Sequence, residues 1–347
     1  LALTFGYTLI MAETSLGRMT RKSPVGAFES FGNSRFISIG GWINAIIPIL
    51  IVPYYSVIGG WVIKYLIEYF AGHSKTLAGD AYFTTFISNG WSTEICFIIF
   101  TLFTLGIIYA GVRNGIERVS KFMMPILIVL SLIIAVYSVT RPGAIEGVKY
   151  FLVPNFDHFS WMTVVSAMGQ MFYSLSIAMG ILITFGSYMK KDTSIEKSTE
   201  NVEIFDTAIA IMAGLMIIPA VFAFSGGNAE TLKSGPALMF ITIPKVFANM
   251  GFGTAIGIVF FLLVLFAAVT SSIALTESAV STFEDELHWS RKKSTVFMGM
   301  VMLLLGTLSC LGYGPLANFK ILGMQFLDFF DFITNSVMMP IAAIATC

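Results

Sequence analysis

The sequence predicts an all-α fold, a polytopic transmembrane helix bundle of about nine spans that forms one integral membrane domain over residues 1–347. First, 56% of the residues are hydrophobic and 12% are charged, whereas soluble domains carry about 25% charged residues. Second, a soluble core of this size cannot bury so much apolar surface, so the bundle must face lipid. Third, nine apolar runs approach the ~20 residues that span a bilayer. The runs are 1–17, 39–70, 93–112, 120–140, 164–189, 203–225, 254–285, 294–313 and 321–346.

The positive charges in the loops support this count and orient the bundle. Net charge is zero, from 20 Lys and Arg against 20 Asp and Glu, so we expect no nucleic-acid partner. Cytoplasmic loops are enriched in Lys and Arg. Of the 20 cations, 13 lie in loops after odd-numbered runs, which places the loop from Arg18 to Arg35 in the cytoplasm. The other seven are Lys64, Lys75, Arg141, Lys149, Lys233, Lys245 and Lys320.

Four further features of the sequence bear on its structure and class. Residues 235–250 are apolar but short and contain two prolines, which predicts a re-entrant or surface helical hairpin. The chain begins and ends inside apolar runs, so we expect an internal fragment of a longer membrane protein. The sequence has no phosphate-binding loop and no spaced Cys/His cluster, so we do not expect an enzyme. The histidines His73, His158 and His288 are predicted to be solvated.

The fifth run contains a cluster of small and polar residues in the middle of its length. Ser174, Ser176 and Gly180 lie where a continuous helix would cross the membrane. An interruption there frees backbone carbonyls and amides, which discontinuous helices use to bind ions and charged substrate groups. The alternative is close helix packing through small residues.

The seventh run has three potential oxygen ligands on one helix face. Ala267, Thr270 and Ser271 stand at i, i+3 and i+4. The two hydroxyl oxygens and the Ala267 carbonyl would surround a small cation. The alternative is that the hydroxyls bond back to their own helix.

Acidic residues in apolar runs are costly and indicate function. Asp206, near the start of the sixth run, needs a cation, a proton or a donor. Glu203, one turn earlier, is interpreted as solvated at the cytoplasmic interface. Glu13, in the first run, is a candidate for capping broken backbone of a neighbouring helix.

Two pairs of residues remain candidates for substrate or gate contacts. Tyr54 and Tyr55 follow a proline in the second run, too far from its ends for an interfacial belt. A buried phenol seeks a partner, which is either a substrate carboxylate or a neighbouring helix. Asp328 and Asp331 open the last run, as a charge pair at a helix N-terminus or as a gate latch.

With these residues in view, the chain resembles the neurotransmitter:sodium symporter family, which has the LeuT fold, and in particular its bacterial branch. The similarity runs along essentially the whole sequence and would make the nine spans the family's helices 2 to 10, a truncated form of its inverted-repeat fold. The motifs that carry it are AETSLGRMTRKSP from Ala12, NGIERVSKFMMP from Asn114, GQMFYSLSIAMG from Gly169, Asp206 with PAVFAF from Pro219, and FAAVTSSIAL from Phe266.

The resemblance implies two sodium sites and a substrate pocket. Ser174 and Asp206 would contribute to the first sodium site, and Ala267, Thr270 and Ser271 to the second. Tyr55 would bind the substrate carboxylate, and Gln170 and Asp331 would lie at the extracellular gate. The pocket would be lined by Ile51, Tyr173, Ser174, Ser176, Met179 and Leu275.

The resemblance also implies sodium-coupled amino-acid symport by alternating access in the plasma (bacterial inner) membrane, with Na⁺ as the co-transported ion. Chloride-dependent relatives have Asn where this chain has Asp206, so we expect chloride independence. Met179 replaces the usual aromatic and is flexible, which favours an apolar or aromatic amino acid. The loop from Arg18 to Arg35 and the segment at Arg291 are expected at an inner gate. The alternative is a sensor that binds an amino acid without moving it.

Overall fold

The computed structural model describes residues 1–32, 34–156, 159–227 and 235–347, and this part of the chain is helical. The β-type pairing within these ranges is one isolated bridge between Ile321 and Met324. The all-α prediction is therefore confirmed. His158 and Lys233 lie outside the described residues.

The helices follow one another through short loops. The first eight are α1 (Tyr7–Thr20), α2 (Pro24–Glu29), α3 (Arg35–Phe70), α4 (Ser74–Leu77), α5 (Tyr82–Ser88), α6 (Gly90–Tyr109), α7 (Glu117–Val139) and α8 (Ala144–Leu152). The others are α9 (Trp161–Ser174), α10 (Ile181–Tyr188), α11 (Ile195–Ser225), α12 (Ile243–Ala248), α13 (Gly253–Glu286), α14 (Arg291–Leu311), α15 (Phe326–Asp331) and α16 (Met339–Thr346). π-Helical turns at Ala2–Gly6, Val112–Ile116, Leu238–Thr242 and Phe332–Met338 adjoin α1, α7, α12 and α15.

Seven helices of the described ranges are long and apolar enough to cross a membrane. They are α3, α6, α7, α11, α13, α14 and the combined helix Phe326–Thr346, and they match seven of the nine predicted runs. Of these, α3 has 36 residues, about 54 Å at 1.5 Å per residue. Because this exceeds the ~30 Å hydrocarbon core, α3 must tilt or extend beyond it.

The other two predicted runs take different forms. The first run is the π-helical turn Ala2–Gly6 continued by α1. The fifth run is broken, because α9 ends at Ser174 and α10 begins at Ile181. The predicted interruption is therefore present.

Backbone angles show how the chain passes through this interruption. Gly180 has φ 68°, in the left-handed region that glycine adopts without strain. Ser176 and Ala178 also have positive φ, at 56° and 61°. A non-glycine residue there costs roughly 1–3 kcal/mol, so the surrounding contacts must hold the break in place.

The inner half of the broken helix is held by a close approach of α1 to α10. A Cβ atom at Gly17 would lie 1.9 Å from the Ile183 carbonyl oxygen, and one at Gly186 would lie 2.5 Å from the Thr14 carbonyl oxygen. Any larger residue would force the helices apart. These two glycines therefore fix the position of α10 on α1.

The core of the bundle lies where α3 packs along α13. Aromatic side chains fill its end near α12, and Trp61 makes edge contacts with Phe83 and Phe240 at centroid distances of 5.3 and 5.7 Å. The Tyr65 hydroxyl donates to the Phe240 carbonyl at 2.8 Å. Residues 238–248 thus form one short helix that packs into the core. The prediction that this segment is helical is confirmed, but it is a single helix and not a hairpin.

Candidate functional site

A buried carboxylate holds the break between α9 and α10. Glu13 on α1 is 0% exposed, and its Oε1 atom accepts a hydrogen bond from the Ala178 backbone N–H at 2.8 Å. The broken backbone leaves this N–H without a helical partner, so the carboxylate replaces the missing acceptor. The hypothesis that Glu13 caps the interrupted backbone agrees with this contact.

The end of α9 meets α11 through the two residues expected at the first sodium site. The Ser174 hydroxyl donates to Asp206 Oδ1 at 2.6 Å. This short bond between a neutral donor and a carboxylate is of the stronger, charge-assisted kind. Two oxygen atoms from residues 32 positions apart are thereby placed side by side where α9 ends.

Glu203 does not lie where the sequence interpretation put it. It was expected to be solvated, but it is only 5% exposed. That expectation is wrong, since α11 is not a free interfacial helix but packs against α1.

The three residues expected at the second sodium site share one face of α13. The Thr270 hydroxyl donates to the carbonyl oxygens of Phe266 at 3.1 Å and Ala267 at 3.0 Å. This is the back-bonding described as the alternative for this face. A hydroxyl that donates a hydrogen bond still has lone pairs that can bind a cation. The bond from Thr270 to its own helix is therefore compatible with coordination of a cation.

Tyr54 and Tyr55 turn to different sides of α3. The Tyr55 side chain hydrogen-bonds with Ser271 of α13, which places it beside the expected second sodium site. The Tyr54 hydroxyl donates instead to Asp331 Oδ1 at 3.2 Å and lies 3.4 Å from Thr334 Oγ1. Tyr54 thus has the neighbouring-helix partner that was the alternative for both tyrosines.

The remaining pocket residues flank the break. Ile51, Met179 and Leu275 are buried in the hydrophobic core, and Tyr173 and Ser176 are half-buried. These side chains come from α3, α13 and the broken helix. The three buried side chains are apolar, and Met179 belongs to the segment between α9 and α10.

A cavity of about 770 Å³ lies between α9 and the last helix. Both residues expected at the extracellular gate, Gln170 and Asp331, line it. It is large enough for an amino acid, since ligand pockets measure about 300–1,000 Å³. Its other lining residues include Gly169, Phe172, Tyr173 and Asn335.

A second cavity, of about 350 Å³, lies between α3, α11 and α13. Tyr55 and Ala267 line it, together with apolar residues such as Met216 and Phe260. The residue expected to bind the substrate carboxylate and one residue of the second sodium site therefore face the same space.

Sequence reasoning missed two contacts that the structure shows. The Asn335 amide donates to Asp331 Oδ1 at 2.6 Å, and the i, i+4 spacing was the available signal. Glu277 is fully buried in α13, where it accepts from the Tyr188 hydroxyl at 2.7 Å and from Arg291 Nη1 at 3.0 Å. An acid in the middle of an apolar segment, with a cation shortly before the next run, was the signal for this pair.

Two of the cations expected at an inner gate bind the C-terminal end of the broken helix and the loop that follows it. Arg18 donates to the carbonyl oxygens of Lys191 and Thr193, and Arg21 donates to the Ser187 carbonyl at 2.9 Å. The loop after α1 is thereby tied to the loop after α10.

Comparison with known proteins agrees with this geometry. The model of the sodium:neurotransmitter symporter family matches residues 68–347. The uncharacterized sodium-dependent transporter YhdH of Bacillus subtilis (strain 168) is 34% identical over 342 residues, which are 98% of this chain and 75% of that protein. An uncharacterized sodium-dependent transporter of Haemophilus influenzae is 30% identical over 356 residues, 99% of this chain and 77% of that protein.

A solved structure supports the same assignment. The crystal structure of MhsT in complex with L-phenylalanine superposes with a TM-score of 0.88 at 34% sequence identity, covering 99% of this chain and 79% of that one. The chain therefore belongs to the sodium:neurotransmitter symporter family.

Proposed function

We propose that this protein carries a hydrophobic or aromatic amino acid together with Na⁺ across the bacterial inner membrane by alternating access, without a need for chloride. The observation that carries the proposal is the 2.6 Å contact between Ser174, at the end of α9 where the helix breaks, and Asp206 of α11. Sodium bound there would order the break against α11. Because the break also adjoins the pocket, ion occupancy and substrate affinity would be linked reciprocally.

Asp206 supports the proposal of chloride independence. A sodium ion beside a neutral side chain needs a nearby anion to offset its charge, whereas a carboxylate supplies that charge itself. Asp206 contacts Ser174 and no described cation forms an ion pair with it. Its charge is therefore available to the ion.

The pocket supports the choice of substrate class. Ile51, Met179 and Leu275 present aliphatic and thioether surface beside the break. A methionine adapts its shape to varied apolar ligands. The similar protein MhsT is described in complex with L-phenylalanine, so this amino acid is the first substrate to test.

The deciding experiment is uptake of labelled L-phenylalanine into proteoliposomes by the full-length protein. An inward sodium gradient is expected to drive accumulation equally well when gluconate replaces chloride. An inward potassium gradient is the control and should give none. Saturable binding without accumulation would support the sensor instead of the symporter.

A further inference from the structure

Two buried oxygen atoms in the first three turns of α11 have no hydrogen-bond partner. Glu203 is 5% exposed, and its Oε1 atom is unpaired. Thr199 is 1% exposed, and its Oγ1 atom is unpaired as well. Buried polar groups are normally paired, because an unpaired one loses its hydration without compensation. These two oxygen atoms are therefore free to accept a hydrogen bond or a cation.

These atoms continue the face of α11 that carries Asp206. Thr199, Glu203 and Asp206 are spaced i, i+4 and i+7, which places them in one row along the helix. At 1.5 Å per residue, successive members are about 6 and 4.5 Å apart along the axis. The row starts at the predicted first sodium site and runs toward the N-terminal end of α11, which the loop lysines place in the cytoplasm.

An internal ion pair does not explain Glu203. Among the described residues, no basic side chain forms an ion pair with it. Arg18, which the loop charges place on the same side of the membrane as the start of α11, donates to carbonyl oxygens of Lys191 and Thr193. Glu13, the comparable acid on α1, has Ala178 N–H as its partner. Glu203 is thus a buried carboxylate without a Lys, Arg or His side chain of the described residues at ion-pair distance.

We propose that Glu203 and Thr199 form a transfer site through which Na⁺ passes between Asp206 and the cytoplasm. A carboxylate and a hydroxyl oxygen are ligands that suit a hard cation. Steps of about 4.5 and 6 Å let the ion exchange one set of oxygen ligands for the next. The proposal rests on the sodium symport proposed above and adds to it the route by which the ion leaves.

The test compares Glu203→Gln with Glu200→Gln in the full-length protein in proteoliposomes. Glu200 is the matched control, because it lies on the same part of α11 but is exposed. Net sodium-driven uptake of labelled L-phenylalanine into sodium-free vesicles requires the ion to be released inside. Exchange of internal unlabelled for external labelled L-phenylalanine, with saturating sodium on both sides, does not.

In Glu203→Gln, net uptake is expected to fall roughly tenfold, as for a ~1.4 kcal/mol higher barrier to release, while exchange stays within about twofold of the wild type. Thr199→Val is expected to show the same pattern more weakly, and Glu200→Gln to match the wild type. Equal loss of uptake and exchange, or no change in either, overturns the transfer site alone. Absence of sodium-stimulated uptake and exchange in the wild type overturns the symport function itself.

Discussion

Replacing Asp206 by Asn in the full-length protein removes one formal charge while keeping the shape of the side chain. At ~4 Å from a sodium ion, an effective dielectric constant of ~20 makes the carboxylate worth about 4 kcal/mol. Asp206 is half-buried, so solvent screening reduces this to about half. A loss of about 2 kcal/mol corresponds to roughly 30-fold weaker sodium affinity. The contact with Ser174 is retained, because an amide oxygen also accepts its hydrogen bond.

The assay is the sodium dependence of labelled L-phenylalanine binding, measured in chloride and in gluconate. Asp206→Asn is expected to raise the half-saturating sodium concentration roughly 30-fold in gluconate and to recover part of the affinity in chloride. Asp192→Asn, in the exposed loop before α11, is the control and should behave as the wild type. If Asp206→Asn neither loses sodium affinity nor gains chloride dependence, the role assigned to Asp206 is wrong.

Three further predictions follow from individual contacts. Tyr55→Phe removes the proposed bond to the substrate carboxylate and should weaken L-phenylalanine binding by about 1.5–3 kcal/mol, measured by calorimetry in saturating sodium. Glu13→Ala leaves the Ala178 N–H without an acceptor, which should cost about 1–3 kcal/mol and lower the melting temperature; an unchanged melting curve would contradict its capping role. Arg291→Ala leaves the buried Glu277 carboxylate without its cation and should destabilise the protein by about 3–5 kcal/mol, whereas Arg291→Ala combined with Glu277→Gln should recover much of the loss in the same melting assay.

The function class could be predicted from the sequence because short sequence motifs indicate it. Several motifs in order along the chain, from Ala12, Asn114, Gly169, Asp206 and Phe266, indicated the symporter family, and the family match confirms this. Membership of a family of symporters also confirms that the protein is not an enzyme. The roles of individual site residues stay predictions until the experiments above are done.

Some features of the site could not be predicted from the sequence, because they depend on which helices pack against each other. The sequence offered the same two kinds of partner for Tyr54 and Tyr55. Only the packing of α3 against α13 and α15 showed that Tyr55 contacts Ser271 and Tyr54 contacts Asp331. Glu203 had the pattern of an interfacial residue, and only the contact of α1 with α11 showed that it is buried.

By itself, the sequence determined the membrane setting, the positions of the spans and the interruption at Ser174 to Gly180. Hydropathy and small-residue clusters express these properties within a single segment, since a helix in lipid must satisfy its own backbone. Only the tertiary structure decided that Glu13 caps Ala178 and that Ser174 meets Asp206. Each of these contacts joins residues far apart in the chain, so its existence depends on how the helices pack and not on the local sequence of either partner.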